Sequence, residues 1–139
     1  MTGSGERCVI ASLTLPGVER SAAHVRAFTR DAVGEGHPAL DDVQTCVNEA
    51  FVNGVEHTAS GRGGTVTVRF VAAGDLVAEV TDDGAGGQRP VLRDDPFGED
   101  GRGMRIIDAL ADAWGVRADG ERTTVWMRFA GPLPVRGGA

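Results

Sequence analysis

The stretch that most constrains this chain is LVAEVTDDGAGG, Leu76–Gly87, where an alternating strand runs directly into a glycine-rich turn. With a side-chain period of two, Leu76, Ala78, Val80 and Asp82 share one face of the strand, and Val77, Glu79, Thr81 and Asp83 share the other. Asp82 therefore falls on the apolar side. A carboxylate there loses hydration and must either find a hydrogen-bond donor or take up a proton. No basic residue adjoins it, and the glycines that follow let another molecule approach the backbone closely. Two readings stay open at this point. Asp82 accepts from a ligand that donates hydrogen bonds, or the Asp-Gly pair does no more than start a polar turn.

With 139 residues, 41% of them apolar, the chain fits one domain whose core needs neither metal nor disulfide. We place that domain at 8–130, between flexible ends at 1–7 and 131–139. No run of about 18 apolar residues exists, so no membrane-spanning helix is expected. The start, MTGSGERCVIASLTL, lacks basic residues at its head, and Ser and Thr interrupt its apolar run, unlike a secretory signal. A cytoplasmic protein without membrane contact is the expectation. Cys8 and Cys46 have no metal-like spacing and are expected to be reduced residues inside the fold.

A formal net charge of −6 argues against direct nucleic-acid binding, which usually needs a basic patch. All fourteen basic residues are arginine. The absence of lysine excludes a Walker-A loop, which must end in Lys before Ser or Thr, and it excludes a Schiff-base lysine.

Along the chain, Cys8–Leu15 reads as a strand closed by Pro16-Gly17. Ala22, Val25, Phe28, Ala32 and Val33 keep helical spacing within a first helix from Val18 to Val33. A longer helix runs from about Leu40 to Thr58, with Asp41 or Asp42 at its start, where negative charge suits the dipole. Thr65–Val71 and Leu76–Thr81 form a hairpin. Gly84 to Arg102 is too polar and interrupted for regular structure and has the length of a functional lid. A third helix, roughly Gly103–Ala113, precedes a closing hairpin of Val116–Ala118 and Thr123–Phe129. This order predicts an α+β two-layer sandwich, with a mixed, mostly antiparallel sheet of about five strands and three helices on one face. Asp82 then points towards the helices.

On the second helix, Glu49, Asn53 and His57 stand four residues apart and form a polar stripe beside the apolar stripe of Val43, Val47, Ala50 and Phe51. Asn53 and Gly54 are both weak helix formers; Gly costs about 1 kcal/mol relative to Ala. A solvated face is the ordinary explanation of such a stripe. The functional alternative is an amide oxygen from Asn53 and a carboxylate from Glu49 offered to a hard cation. Mg²⁺ suits so sparse a provision, because it takes most of its ligands from phosphates and water. Further on, Gly101-Arg102-Gly103-Met104 opens the third helix, where free backbone N–H groups and the positive dipole end favour phosphate. Neither Gly-x-Gly pair completes a dinucleotide fingerprint, since Ile106 and Arg89 fill the third glycine positions.

Taken in order, Glu49-x-x-x-Asn53 on a helix, Asp82-x-Gly84-x-Gly86 after a strand, a long lid and Gly101-x-Gly103 opening a helix resemble the ATP-binding (Bergerat) fold of the GHKL superfamily. That superfamily includes gyrase, Hsp90, histidine kinases and MutL. The resemblance runs from Cys8 to Phe129. It is nearest in length and detail to the single-domain anti-sigma factor serine/threonine kinases of bacterial partner switching, whose motifs are similar to VNEAFVNGVEH and GRGMRIIDALADAWG.

The resemblance implies ATP and Mg²⁺ as cofactors. By it, Asp82 accepts from the adenine amine, and Gly84 and Gly86 let base and ribose approach. Asn53 holds Mg²⁺, and Glu49 is general base for the attacking hydroxyl. Gly101, Arg102, Gly103 and Met104 close over the phosphates. Thr123, in phase with Val125, Met127 and Phe129, supports the adenine. His57 is structural at the helix end. The implied partners are a sigma factor and an anti-sigma factor antagonist, with homodimerisation left open. Glu99, followed by Asp100, stands where some of these kinases carry an arginine for the terminal phosphate, and Ala85 where many relatives have proline. A non-catalytic module in which ATP sets the conformation for a partner is the alternative function.

Overall fold

The computed structural model describes residues 7–57, 59–84 and 102–133. Five strands, β1 Cys8–Pro16, β2 Thr65–Ala73, β3 Asp75–Asp82, β4 Ala113–Asp119 and β5 Arg122–Phe129, pair in the order β1-β2-β3-β5-β4. Every neighbouring pair is antiparallel. Three helices, α1 Ala22–Val33, α2 Leu40–His57 and α3 Arg102–Leu110, complete the α+β sandwich expected from the sequence.

Period-two alternation decides which side of the sheet is dry. Val66, Val68 and Phe70 on β2, Leu76, Ala78 and Val80 on β3, and Val125, Met127 and Phe129 on β5 face one way and are buried together. Onto them pack Val25 and Val33 of α1, Val43, Val47, Ala50 and Phe51 of α2, and Met104 and Ile107 of α3. Each of the Val, Leu, Ile, Phe and Met side chains among them contributes about 1.5–3 kcal/mol by leaving water. α2 lies centrally, in contact with α1, α3 and the middle strand β3.

Local chemistry sets the helix ends. Asp41 and Asp42 both lie in the first turn of α2, where the dipole favours them. Ahead of it His37 acts as a cap, its Nδ1 accepting from Ala39 N at 3.0 Å. The buried Thr29 of α1 satisfies its hydroxyl on Val25 O one turn back, at 2.8 Å.

The first helix begins later than its apolar spacing suggests, because Glu19–Ser21 form a short 3-10 turn before it. The third ends at Leu110, not Ala113. Asp112 N donates to Arg128 O at 2.9 Å, Asp112 Oδ2 accepts from Ala130 N at 2.7 Å, and Ala113 already pairs with Arg128. Cross-strand bonding there overrides a helix-compatible sequence. Cys8 also corrects an expectation. It is exposed, at the first position of the edge strand β1, whereas Cys46 is buried in α2 as expected. The chain beyond β5 stays in contact with the fold: Gly131 O accepts from Leu76 N at 3.0 Å, and Leu133 is buried in the core. The remainder of the expected tail, 134–139, and most of the expected lid, 85–101, lie outside the described residues.

Candidate functional site

The inward face of β3 ends on Asp82, which is 6% exposed. Directly above it on α2 stands Gly54. A Cβ on Gly54 would lie 3.3 Å from Asp82 Cβ and 3.6 Å from its Oδ2, with Val66 Cγ2 at 3.7 Å. The glycine is thus the seat of the aspartate, which explains a residue that is otherwise a poor choice for a helix interior. Asp82 Oδ1 accepts from Gly84 N at 2.7 Å. Gly84 N is the hydrogen-bond donor this carboxylate meets among the described residues, and Oδ2 is not engaged by it. Burial pushes the Asp82 carboxyl up from the ordinary carboxylate range to about 6, the Gly84 bond pulls it down, and the charge of Asp83 adds to the rise. An inward carboxylate with an unused oxygen is an acceptor prepared for a donor that the described residues do not supply.

Asp83 has a different task. Its Oδ2 accepts from Thr65 N at 2.9 Å and so ties the end of β3 to the start of β2. Gly84 follows with a φ of +82°, and a Cβ there would collide with the Glu121 carbonyl, so this turn requires glycine.

Thr123 is the cross-strand partner of Asp82, on the same face of the sheet. Thr124 points the opposite way and shares a hydrogen bond of 2.7 Å with Thr81. Glu49 and Asn53 occupy successive turns of α2 and are both half-buried, Asn53 immediately before the Gly54 seat. Glu49 also touches the electrostatics of Cys46, whose thiol is pushed up to about 12 by burial first, then by Asp42 and Glu49. That thiol stays protonated and unreactive. Arg102 and Gly103 lie in the first turn of α3, and Met104 behind them is buried in the core. Gly86 and Gly101, with Ala85, Glu99 and Asp100, fall outside the described residues.

The sequence motifs therefore converge at one end of the sandwich only in part. Asp82, Gly84 and Thr123 form one cluster with the Asn53-Gly54 step of α2 across from it. The pairing of Gly54 with Asp82 was not anticipated, although two adjacent weak helix formers were its signal. Glu79, on the outer side of β3, is 2% exposed, a burial that alternation alone would not assign to a solvent face.

The model of the histidine kinase-like ATPase domain matches residues 15–129 of this chain. The chain belongs to the histidine kinase-like ATPase family. Membership implies nucleotide binding, and the acceptor on Asp82 lies within the matched segment. Among curated proteins, an uncharacterized protein of Streptomyces coelicolor, SCO4941, is 33% identical over 92 residues, which cover 64% of this chain and 86% of the relative. Among solved structures, the RsbU and RsbW domains of Rv1364c from Mycobacterium tuberculosis match with a TM-score of 0.63 at 21% identity. That match covers 91% of this chain and 34% of the other, so the ATPase-family chain has the fold of about a third of that larger protein. No described helix is long and apolar enough to cross a membrane.

Proposed function

We propose that this ATPase-family protein binds ATP and Mg²⁺ between α2, the end of β3 and the start of α3. We further propose that it is an anti-sigma factor with serine/threonine protein kinase activity toward an anti-sigma factor antagonist. The observation that carries the nucleotide part is Asp82, inward, seated on Gly54 and opposite Thr123, with one oxygen unused. Asp82 accepts from the exocyclic amine of adenine, and Thr123 beside it supports the base. Gly84 and Gly86 leave room for base and ribose.

Among the described residues, no cluster of three or more His, Cys, Asp and Glu could hold a metal by itself. A cation here would draw most of its ligands from phosphate and water, which is the preference of Mg²⁺, with Asn53 supplying one protein oxygen. Bound Mg²⁺ would neutralise phosphate charge. The first turn of α3 offers its N–H groups, and Arg102 its charge, to the phosphates. Met104 anchors that turn in the core.

In the transfer itself, Glu49 takes the proton of the attacking serine or threonine hydroxyl as its oxygen bonds to the terminal phosphorus; the bond to ADP breaks and ADP leaves. The antagonist gains about two negative charges, and repulsion loosens its docking. The likeness to the structure of the RsbU and RsbW domains of Rv1364c supports the partner-switching assignment, as do the sequence motifs of the anti-sigma kinases.

Glu99, at the position where some members of this kinase group carry an arginine, and the acidic Asp100 after it favour a second reading: a regulatory module that binds ATP and a partner without phosphotransfer. A pull-down with and without ATP, followed by labelled ATP on the retained protein, separates the two. Label on a serine or threonine of the partner supports the kinase, and ATP-dependent retention without label supports the module. Retention that ignores ATP contradicts both.

A further inference from the structure

The outer face of the sheet, opposite the helices, is charged in an uneven way. Thr67 and Arg69 of β2, Thr81 of β3, Arg117 and Asp119 of β4, and Arg122 and Thr124 of β5 line a cavity of about 290 Å³ on that face. Beside it the buried Glu79 receives Arg7 Nη2 at 2.6 Å and has Arg69 Nε and Arg117 Nη2 each at 3.8 Å. One carboxylate thus serves three guanidinium groups. Asp119 reaches Arg117 Nε at 3.5 Å, and Asp83, at the same end of β3, is engaged by Thr65 N. Arg122 makes no ion pair among the described residues, and the buried Nε of Arg69 has no hydrogen-bond partner. In a protein of net charge −6, this concentration of arginine is not a consequence of composition.

The threonines sharpen the chemistry. Thr67 shares a hydrogen bond of 2.7 Å with Thr14, and Thr81 one of 2.7 Å with Thr124. In each pair one hydroxyl donates to the other, so the accepting hydroxyl keeps its own proton to give elsewhere. The cavity therefore offers guanidinium forks and spare O–H donors. A ligand rich in acceptor oxygens and carrying more than one negative charge fits this surface.

We propose that this cavity is a second anion site, for a phosphate-type dianion, separate from the nucleotide site on the opposite face of the sheet. It shares strands with that site. Thr81 immediately precedes Asp82, and Thr124 immediately follows Thr123, so the outward hydroxyl pair and the inward Asp82–Thr123 pair are successive rungs of one ladder.

The test is calorimetric titration of inorganic phosphate into the full chain, in nucleotide-free and phosphate-free buffer, repeated with Arg122→Gln and Arg102→Gln. Arg122 is exposed at the start of β5, and a thermal melt confirms that its variant folds. Saturable binding to the parent is expected, competed by sulfate and not by adenosine. Arg122→Gln should weaken it at least about tenfold, the loss of one charge-assisted fork, and Arg102→Gln should leave it unchanged. Arg69→Gln provides a second variant with the same expected loss. No saturable binding, parent-like binding in both Arg122→Gln and Arg69→Gln, competition by adenosine, or loss in Arg102→Gln would overturn the proposal. None of these outcomes depends on whether ATP binds at Asp82.

Discussion

Gly54 and Asp82 are complementary: the helix has no side chain at the one place where the central strand directs a carboxylate at it, and a Cβ there would stand 3.3 Å from Asp82 Cβ. Gly54→Ala brings two opposed effects. Helix propensity gains about 1 kcal/mol, while the new methyl presses on an aspartate held by its Gly84 bond and by pairing with β5. The expected outcome is a melting temperature within a few degrees of the parent and an ATP affinity about tenfold weaker, because Asp82 moves out of register with the base. Thermal denaturation and calorimetry on one preparation check both, and undiminished affinity would argue against the seat.

Protonation of Asp82 gives a second expectation. Its folded carboxyl lies at about 6, against an ordinary 3.8. The folded state therefore holds this proton more tightly than the unfolded chain. The resulting stability is fully present below the unfolded value and is lost as pH rises through about 6. The gap corresponds to roughly 3 kcal/mol. Asp82→Asn has no such step, so denaturant unfolding from below the unfolded value to neutrality should show the parent losing stability relative to the variant by that order. Parallel profiles would mean that Asp82 is not perturbed in solution.

How much of this could be read in the sequence varies with the physical origin of each feature. Asp82, Thr123 and the sheet core follow from period-two alternation, which is local and strict. The Glu49–Asn53 spacing is likewise a property of one helix. The end of α3 and the length of β4 were misplaced, since Asp112 and Ala113 owe their conformation to Arg128 and Ala130, distant in sequence. The burial of Glu79 depends on Arg7, Arg69 and Arg117 converging from three other strands or strand ends, and no window of sequence contains that encounter. Cys8 looked like a core residue by type, yet the fold exposes it at the head of an edge strand.

Glu49→Gln separates binding from transfer. It keeps shape and polarity and removes the base. ATP affinity should stay within about twofold while phosphotransfer to the antagonist falls by about 10²- to 10⁴-fold. Full transfer in the variant is incompatible with the assigned role.

Asn53→Ala removes the amide oxygen one residue before the Gly54 seat. The enhancement of ATP affinity by Mg²⁺ should shrink, while affinity measured in excess chelator stays near that of the parent. Identical magnesium titrations for parent and variant would remove Asn53 from the metal.

The most direct measurement is calorimetric titration of ATP into the parent and into Asp82→Ala, with thermal melts of both. A hydrogen bond to a charged acceptor contributes about 1.5–3 kcal/mol, so the affinity should fall by about 10- to 150-fold while the variant melts no lower than the parent, its buried carboxylate being gone. An unchanged affinity in a folded Asp82→Ala protein would contradict the assignment of this carboxylate to the nucleotide.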